Sequence, residues 1–309
     1  MAADNIIRTY SDTSIAEDVL DIVENLSPTE DSLFRLLGKS TAYDVVHQWL
    51  VDTLPTTATA GAQAVQFGAL VATTPSRSVN LTEYIYVDQS VTDQQRAVDH
   101  YGFGDRLAYE QQKAMKAWRN KAEADILRSS LVSGASGYAP QMIGIINCIS
   151  TNKTAQTSGT VWSQSILDGL LALAWDNGNG EPVTDLFMGS KLKTLTSAFS
   201  GRTGTQFVIP ADAERLVTTT ANYASDFGDL KVHLHRYIGK DYAGSADATG
   251  RVLGIAANKF KIAYLNGMTP KTEVFGRRGA SYDFRVSGEL TVESLNEKTS
   301  FYASGYKKD

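Results

Sequence analysis

The histidines are the first candidates for chemistry, because imidazole can act as a general base and as a metal ligand. Two of the four, His233 and His235, lie two residues apart. In a strand this spacing puts both imidazoles on one face, where a third ligand could complete a metal site. No zincin helix or CxxC pair accompanies them, which favours a simpler interpretation: Leu234 faces the core and both imidazoles face solvent or an interface. We therefore expect neither a metal nor a cofactor.

The sequence contains no motif typical of nucleophilic catalysis or of phosphate transfer. Cys148 lies in an apolar run, residues 144–149, where burial would raise the pKa of its thiol and make it inert. The sequence contains no GxSxG elbow, P-loop or GxGxxG fingerprint. Asp283, Glu289 and Glu293 alternate along a predicted strand and are expected to be solvated charges. We expect no catalytic residue and no enzyme.

Composition indicates a folded chain of ordinary globular type. Its 309 residues are 42% hydrophobic and 20% charged, which is enough apolar material for a sizeable core. The formal net charge of -5 disfavours a dedicated nucleic-acid binder, whose footprint is basic. The acidic start shows no export signal, no apolar run is long enough for a membrane helix, and one cysteine fits a reducing compartment.

Charge is distributed unevenly along the chain. Residues 1–54 contain ten acidic and three basic side chains, whereas residues 231–309 contain thirteen basic and eight acidic ones. Two solvated faces would explain this difference. The alternative is that opposite ends of neighbouring copies attract each other in an assembly.

The first third of the chain predicts helices followed by an extended excursion. An apolar stripe over residues 15–26 indicates an amphipathic helix that Ser14 can cap, and a short second helix ends at Gly38. A strand over residues 45–51 comes next. Residues 53–78 are rich in Thr, Ala, Gly and Pro, and residues 79–87 alternate as a strand whose candidate partner is 65–71. These patterns predict a long hairpin that lies on something outside its own core.

Two long elements are expected to form the body. Residues 105–132 predict a helix with no Pro or Gly, about 40 Å long, which we call the spine helix. Its packing stripe is Ala114, Trp118, Ala122 and Ile126. Near the C-terminus, apolar residues at even positions 282–292 and polar residues at odd positions 283–293 predict a long strand with one buried and one wet face. The two elements match in length and could pack lengthwise.

The region between these elements predicts a mixed α+β unit. Ser163 can cap a helix that ends at Asn177-Gly178, and Ser190 can cap another that is closed by Gly201. A short buried strand is expected at 186–188, and further strands at 230–237 and 259–265.

Short segments throughout the chain carry a family resemblance. They are Leu26–Glu30, Gly38-Lys39, His47–Trp49 with Asp52 and Leu54, Thr74–Arg77, Asn80–Thr82, Val91–Val98, Leu107–Tyr109, Phe260–Leu265, Gly288–Glu293 and Asn296–Lys298. In order and spacing the chain resembles the Hong Kong 97-type major capsid proteins of tailed bacteriophages, in the subgroup without a separate scaffolding domain. The similarity is weakest over residues 151–229.

This resemblance implies an α+β fold of four parts. They are an N-terminal arm over residues 1–48, an E-loop hairpin over 49–90, a P-domain over 91–162 to which 269–309 return, and an A-domain over 163–268. The P-domain is built on the spine helix and the long strand. The E-loop residues expected to make assembly contacts are Phe67, Arg77, Tyr84 and Tyr86.

The resemblance also implies a function and partners. The chain would self-assemble, as hexamers and pentamers, into the icosahedral head shell that encloses double-stranded phage DNA. Portal, scaffold or decoration proteins would be further partners, with DNA only in weak non-specific contact and no membrane. The protein would be found in the virion and would assemble in the cytoplasm of the bacterial host.

Some proteins of this fold are welded by an isopeptide bond between an E-loop lysine and an asparagine of a neighbour. This chain has no lysine between Lys39 and Lys113, so the hairpin lacks the nucleophile and we expect non-covalent shells.

Two other classes remain open at this stage. A phage adhesin or tail-associated binding protein would fit the Thr- and Gly-rich strands, but it predicts short repeated strands and few long helices. An α+β hydrolase using His233 and His235 would require a pocket that joins those two side chains.

Overall fold

The computed structural model of the chain describes residues 32–54, 73–100, 102, 104–135, 138–199, 222–240, 242–243 and 245–307. The predicted helix over 15–26, the candidate strand 65–71 and Gly201 lie outside the described residues. The helices are α1 Ser32–Leu36, α2 Asp93–Ala97, α3 Arg106–Arg128, α4 Ile145–Cys148, α5 Gln164–Asn177, α6 Ser190–Ser197 and α7 Arg236–Gly239. The strands are β1 Gly38–Ala42, β2 Val46–Val51, β3 Ser76–Leu81, β4 Glu83–Thr92, β5 Lys153–Thr160, β6 Asp185–Met188, β7 Asn222–Ser225, β8 Gly228–Leu234, β9 Gly250–Ile255, β10 Phe260–Leu265, β11 Lys271–Val274, β12 Ser281–Ser294 and β13 Phe301–Tyr306.

The longest strand, β12, organises a five-stranded sheet. At 14 residues it is long enough for β10 and β11 to pair with one edge in succession, while β4 pairs with the other edge. All three pairings are antiparallel, and β1 joins the outer side of β10 in parallel. The predicted long C-terminal strand is confirmed.

The spine helix, α3, packs along this sheet. Its stripe of Ala114, Trp118, Ala122 and Ile126 is buried, and most of its sheet contacts are with β4 and β12. Trp118 lies against Gly288 of β12, where an added Cβ would come within 2.7 Å of the indole. The helix packs along the sheet with this stripe because four-residue spacing places all four side chains on one helix face.

Local hydrogen bonds set both ends of α3. At the start, the Asp105 carboxylate accepts the Leu107 N–H at 3.0 Å and acts as N-cap. At the end, Ser129 leaves helical geometry and its carbonyl accepts the Gly144 N–H at 2.8 Å. The helix therefore stops four residues before the predicted end at Val132, because pairing with the 141–144 segment replaces the next helical turn.

A second sheet has six strands in the order β5-β13-β9-β6-β8-β7. It mixes parallel pairs, β5 with β13 and β6 with β8, with antiparallel ones. Gly305 interrupts the register of β13 with a φ of 95°, and a Cβ there would lie 2.1 Å from the Gln156 carbonyl oxygen. Only glycine fits such a close backbone approach.

Helices cover one face of the six-stranded sheet, and its other face joins the main core. Leu167, Leu171 and Leu192 of α5 and α6 pack with Leu186 and Phe301 in one buried cluster. The opposite sheet face contributes side chains to the larger cluster around α3; these are Phe187, Leu253, Ile255 and Tyr302. The two sheets therefore share a continuous apolar interior.

Several predicted boundaries are wrong for local reasons. Residues 79–87 form two strands rather than one, because Thr82 turns the chain from β3 into β4. Tyr237 lies in α7, after β8 has ended at Leu234. Ser163 is the N-cap residue of α5 as predicted, but its hydroxyl pairs with Ser165 at 3.1 Å and makes no cap bond, whereas the N-cap of α6 is Gly189 and not Ser190.

The chain changes sheets twice near its C-terminal end. β9 lies in the six-stranded sheet and β10 in the five-stranded one, and β12 and β13 reverse that exchange. Strand β10 therefore falls within the predicted segment 163–268 but pairs with β12 of 269–309, whereas β13 pairs with β5 and β9. The predicted division into four domains remains a prediction.

Candidate assembly surfaces

Strands β2 and β3 form a separate two-stranded antiparallel hairpin above the five-stranded sheet. Alternation along each strand gives the hairpin two faces. His47, Trp49 and Asn80 are partly or fully buried toward the body, whereas Leu50 and Val79 are exposed on the outer face. The hairpin is thus attached to the body by polar and aromatic side chains and presents apolar ones outward.

Asn80 is the central attachment of this hairpin. Its side-chain amide is 1% exposed and donates to the carbonyls of Val292 at 2.8 Å and Ile143 at 3.2 Å. Its Oδ1 accepts the Ile143 N–H at 2.9 Å and the Leu81 N–H at 2.8 Å. All the hydrogen-bonding capacity of the amide is used, which holds β3, β12 and the 141–144 segment together.

A second attachment joins β2 to the end of β12. Glu293 Oε1 lies 2.6 Å from His47 Nε2 and accepts the Ser40 hydroxyl at 2.7 Å. The Trp49 indole donates to the Ser294 carbonyl at 2.9 Å. Polar groups of three separate segments therefore meet over the C-terminal half of β12.

These attachments correct the predicted wet face of the long strand. Even positions of β12 are buried as expected, but Ser287, Thr291 and Glu293 at odd positions are buried as well. The Thr82 hydroxyl also donates to Glu289 on this face. The polar side of β12 is a docking surface for the hairpin within the same chain, so its carboxylates are partnered and not free solvated charges.

The predicted E-loop contact residues fall in different places. Arg77 is exposed on β3, in the outer part of the hairpin. Tyr84 and Tyr86 lie on β4, which belongs to the five-stranded sheet and not to the hairpin. Phe67 lies outside the described residues. The structure therefore brings the two tyrosines together and separates them from Arg77.

Tyr84 and Tyr86 belong to an exposed aromatic and charged surface. Their ring centroids are 5.7 Å apart, and the Arg285 guanidinium lies 4.6 Å from the centre of the Tyr86 ring. Arg285 also forms a two-point ion pair with Asp88, at 2.6 and 2.8 Å. Hydrogen bonding to this guanidinium lowers the pKa of Asp88. The arrangement holds Arg285 flat on the sheet surface.

Two buried carboxyl groups meet where the hairpin enters the body. Glu83 opens β4 and Asp125 lies in the last turns of α3, and both are less than 10% exposed. Burial, followed by the nearby charge of Asp125, raises the pKa of Glu83 to about 7. Burial also raises the pKa of Asp125, although Lys121 donates to it at 2.6 Å. Glu83 accepts the Met142 N–H at 3.3 Å, which ties the junction to the 141–144 segment.

Glu123 connects the first described helix to the spine. Its fully buried carboxylate accepts the N–H groups of Leu33 at 2.7 Å and Phe34 at 3.2 Å, and so caps the N-terminus of α1. The same carboxylate lies 3.1 Å from His235 Nε2. One acidic side chain of α3 thus orients both α1 and the end of β8.

The prediction for the two histidines is wrong. His235 is fully buried and Leu234 is 54% exposed, because α3 crosses the end of β8 and supplies Glu123 as a partner. His233 is half-buried, pairs with Asp185 at 2.8 Å and stacks on Phe187. Burial acts to raise the pKa of Asp185, but hydrogen bonds from His233 and Thr184 lower it overall. The two imidazoles have different partners and do not form one site.

Other potential chemistry is equally tied to structure. Burial, with a smaller contribution from Glu297, raises the pKa of the Cys148 thiol to about 12. The described residues contain no group of three or more His, Cys, Asp or Glu side chains placed to hold a metal ion. Among the helices the structure describes, none combines the length and apolar character that crossing a bilayer requires.

The family follows from a comparison over nearly the whole chain. The model of the SU10 major capsid protein family matches residues 5–307. The chain belongs to this family. Three of the segments that carried the resemblance, His47–Trp49, Asn80–Thr82 and Gly288–Glu293, meet at the hairpin attachment.

Solved structures agree with the fold of this capsid protein. The capsid of Myoviridae phage XM1 matches at 10% identity and a TM-score of 0.63, covering 98% of this chain and 99% of that chain. The capsid of an empty GTA particle matches at 11% identity and a TM-score of 0.65, covering 95% and 96%. The SrpI encapsulin of Synechococcus elongatus PCC 7942 matches at 12% identity and a TM-score of 0.62, covering 98% and 96%. No curated protein sequence matches the chain.

Together the family and the fold make this chain a shell-forming major capsid protein of a phage head with the Hong Kong 97-like fold. Sequence reasoning missed four residues that hold the body together: Asn80, Glu83, Glu123 and Asp125. Little in the sequence indicated these residues, because the periodic pattern of a helix or strand shows which face is buried but not which polar side chains on it find partners. Only Asn80 lay in a segment that the resemblance had already singled out.

Proposed function

We propose that this capsid protein builds an icosahedral head shell of hexamers and pentamers around double-stranded DNA, and that the β2–β3 hairpin is the main contact between neighbouring copies. The observation that carries the proposal is the outer face of the hairpin. Leu50 and Val79 are 67% and 52% exposed, on an element whose inner face is fixed to the body, and Leu54, three residues after β2 ends, is 90% exposed. Exposed apolar side chains on an element that is fixed to the rest of the subunit are typical of a protein–protein interface.

The other predicted contact residues fit the same proposal. Arg77 extends the outer part of the hairpin, and Phe67 lies in the sequence between β2 and β3. Tyr84 and Tyr86, with Arg285 lying on Tyr86, offer a second contact on the body. Tyrosine and arginine are enriched at interfaces because each combines a large apolar area with directed hydrogen bonds.

The spine helix would supply the stiffness that such contacts need. The buried stripe of Trp118, Ala122 and Ile126 fixes α3 along β4 and β12, and Glu123 and Asp125 tie its end to α1 and to the hairpin junction. A contact at the hairpin can therefore be transmitted to the whole body.

Further parts of the proposal rest on the family. Portal, scaffold or decoration proteins would act with this chain, DNA would make weak non-specific contact, and assembly would take place in the host cytoplasm before the protein enters the virion. The protein would have no catalytic activity. The separate partners of His233 and His235 support that last point.

The test is assembly of hairpin variants produced in bacteria. Leu50→Asp and Val79→Asp place charge on the outer face without touching the body, so the subunit should fold but closed particles should be lost. Leu50→Met and Val79→Ile, which keep the surface apolar, are the matched controls and should assemble. Negative-stain microscopy and light scattering provide the measurement. Normal shells from both aspartate variants would refute the hairpin as the main contact.

A further inference from the structure

A cavity of about 440 Å³ lies beside the six-stranded sheet, away from the hairpin surfaces described above. The start of α6, the end of β8 with α7, and the start of β9 form its walls. Its described lining residues are Gly189, Ser190, Lys191, Leu192, Leu234, His235, Arg236, Gly239, Lys240, Ala246, Gly250 and Arg251. The volume is far more than one water molecule needs, at ~30 Å³ each.

The N-terminus of α6 opens into this cavity. The N-cap residue, Gly189, has no side chain to accept the first N–H groups of the helix, and no side-chain cap bond forms there. The first N–H with a helical acceptor is that of Lys193, which bonds to the Gly189 carbonyl at 3.0 Å. The N–H groups of residues 190–192 are therefore available to an acceptor, and the helix dipole favours a negative one.

The charge of the lining has one sign. Among the described lining residues, Lys191, Arg236, Lys240 and Arg251 are basic and none is acidic. Asp247 pairs with Arg251 at 3.0 Å and with Arg128 at 3.1 Å, so the charge of Arg251 is partly offset. No ion pair involves Lys191 or Lys240 in the part of the chain that the structure describes. In a protein with a net charge of -5, this concentration of cations is a local exception.

A second observation, which does not depend on the helix, is a buried polar atom without a partner in the cavity wall. His235 is fully buried; its Nε2 faces Glu123, but its Nδ1 has no hydrogen-bond partner. Buried polar atoms in folded proteins are nearly always partnered, so an isolated one in a cavity wall indicates a missing ligand or water. Two nearby charged groups already have partners: Glu123 accepts the Leu33 N–H, and Arg128 donates to Asp247.

We propose that this cavity binds a phosphate group carried on a small organic molecule or on a nucleic-acid backbone. The N–H groups of residues 190–192 would hold the phosphate oxygens, Lys191 and Lys240 would supply the compensating charge, and Leu192 and Leu234 would contact the attached organic part. Helix N-termini combined with lysine and arginine are a common way to bind phosphate.

Titration calorimetry of the unassembled capsid protein tests the site. The probes are inorganic phosphate, a nucleoside 5′-monophosphate and a short DNA duplex, each at constant ionic strength set by sodium chloride. Lys191→Glu and Lys240→Glu reverse exposed charges in the lining. Lys153→Glu makes the same charge change on β5, outside the cavity, and is the matched control. Because all three lysines are exposed, the variants should melt at the wild-type temperature.

We expect about one nucleoside monophosphate per subunit in the wild type and in Lys153→Glu, and at least tenfold weaker binding in the two lining variants. Duplex binding that the monophosphate displaces would identify the DNA backbone as the source, and monophosphate binding without duplex binding would identify a free ester. No phosphate binding in the wild type would overturn the proposal, as would unchanged affinity in both lining variants. Displacement of the monophosphate by a peptide of residues 1–31 that binds more tightly would assign the cavity to an acidic segment instead.

Discussion

Replacing Glu83 by glutamine should make the protein more stable at neutral and alkaline pH. Glu83 is buried at the hairpin junction beside Asp125, and ionising both carboxyl groups there leaves two negative charges with Lys121 as the cation that partners Asp125. Glutamine has nearly the same shape. Its carbonyl oxygen can accept the Met142 N–H, and its NH₂ group can donate to Asp125, so no buried polar atom loses its partner.

The size of the effect follows from the difference between folded and unfolded protonation. Glu83 titrates near pH 4.5 when exposed and near pH 7 in the folded protein. Between these values the folded state holds a proton that the unfolded chain has lost. The contribution to stability is therefore complete below about pH 4.5 and is lost as the pH rises through 7. A difference of this size corresponds to about 3 kcal/mol, at ~1.4 kcal/mol per pKa unit.

Urea unfolding of the unassembled subunit between pH 4.5 and pH 8 measures this effect. We expect Glu83→Gln to equal the wild type near pH 4.5 and to exceed its free energy of unfolding by about 2 to 3 kcal/mol at pH 8. Glu273→Gln, which changes a solvent-accessible carboxylate on β11, is the control and should alter stability by less than about 0.5 kcal/mol. If Glu83→Gln is no more stable than the wild type at pH 8, the buried carboxyl pair does not oppose folding and the reasoning fails.

Two further predictions concern the body and the shell. Trp118→Ala should lower the free energy of unfolding by about 3 to 5 kcal/mol, because it empties the space between α3 and β12 and leaves the Ile85 carbonyl without its 2.8 Å donor. Trp175→Ala, at a 38% exposed site, is the control and should cost far less. Similar losses for the two variants in urea unfolding would contradict this packing. Mature particles boiled in detergent and reductant should run as a single subunit band, because no lysine lies between Lys39 and Lys113; a ladder of multimers would show covalent welding.

The long periodic elements could be predicted from the sequence. The spine helix and β12 were identified because each repeats its pattern over many residues, and a single error shifts such a pattern little. Strands β2, β6 and β10 were also found within one residue of their ends. The patterns of β6 and β10 came from side chains that these strands bury in the core, whereas β2 presents its apolar side chains outward.

The sequence did not reveal which faces of these helices and strands are covered by other segments of the same chain. Period two shows that Glu293 opposes the core face of β12, but it does not show that His47 of the hairpin, 246 residues away in sequence, contacts it. His235 was misplaced for the same reason, since its partner Glu123 is 112 residues distant. From sequence alone, a polar side chain is predicted to face solvent, because its buried partner is determined by tertiary packing and cannot be seen in the local pattern.

The segments of the resemblance mark this second layer better than any local rule. His47, Asn80 and Glu293 are unremarkable as single residues, yet they meet in one network over β12. The cluster of Glu83 with Asp125 had no such marker. Its effect depends on burial, which composition and spacing do not reveal.

The double exchange of strands between the two sheets has a mechanical consequence for a shell wall. The chain crosses from β9 to β10 through residues 256–259, and from β12 to β13 through residues 295–300. Pulling the sheets apart would therefore stretch two short lengths of backbone, whose peptide bonds are far stronger than the packing they bridge. Under pressure from inside the head, tension within one subunit would run through covalent bonds, and the wall should yield first at the seams between subunits.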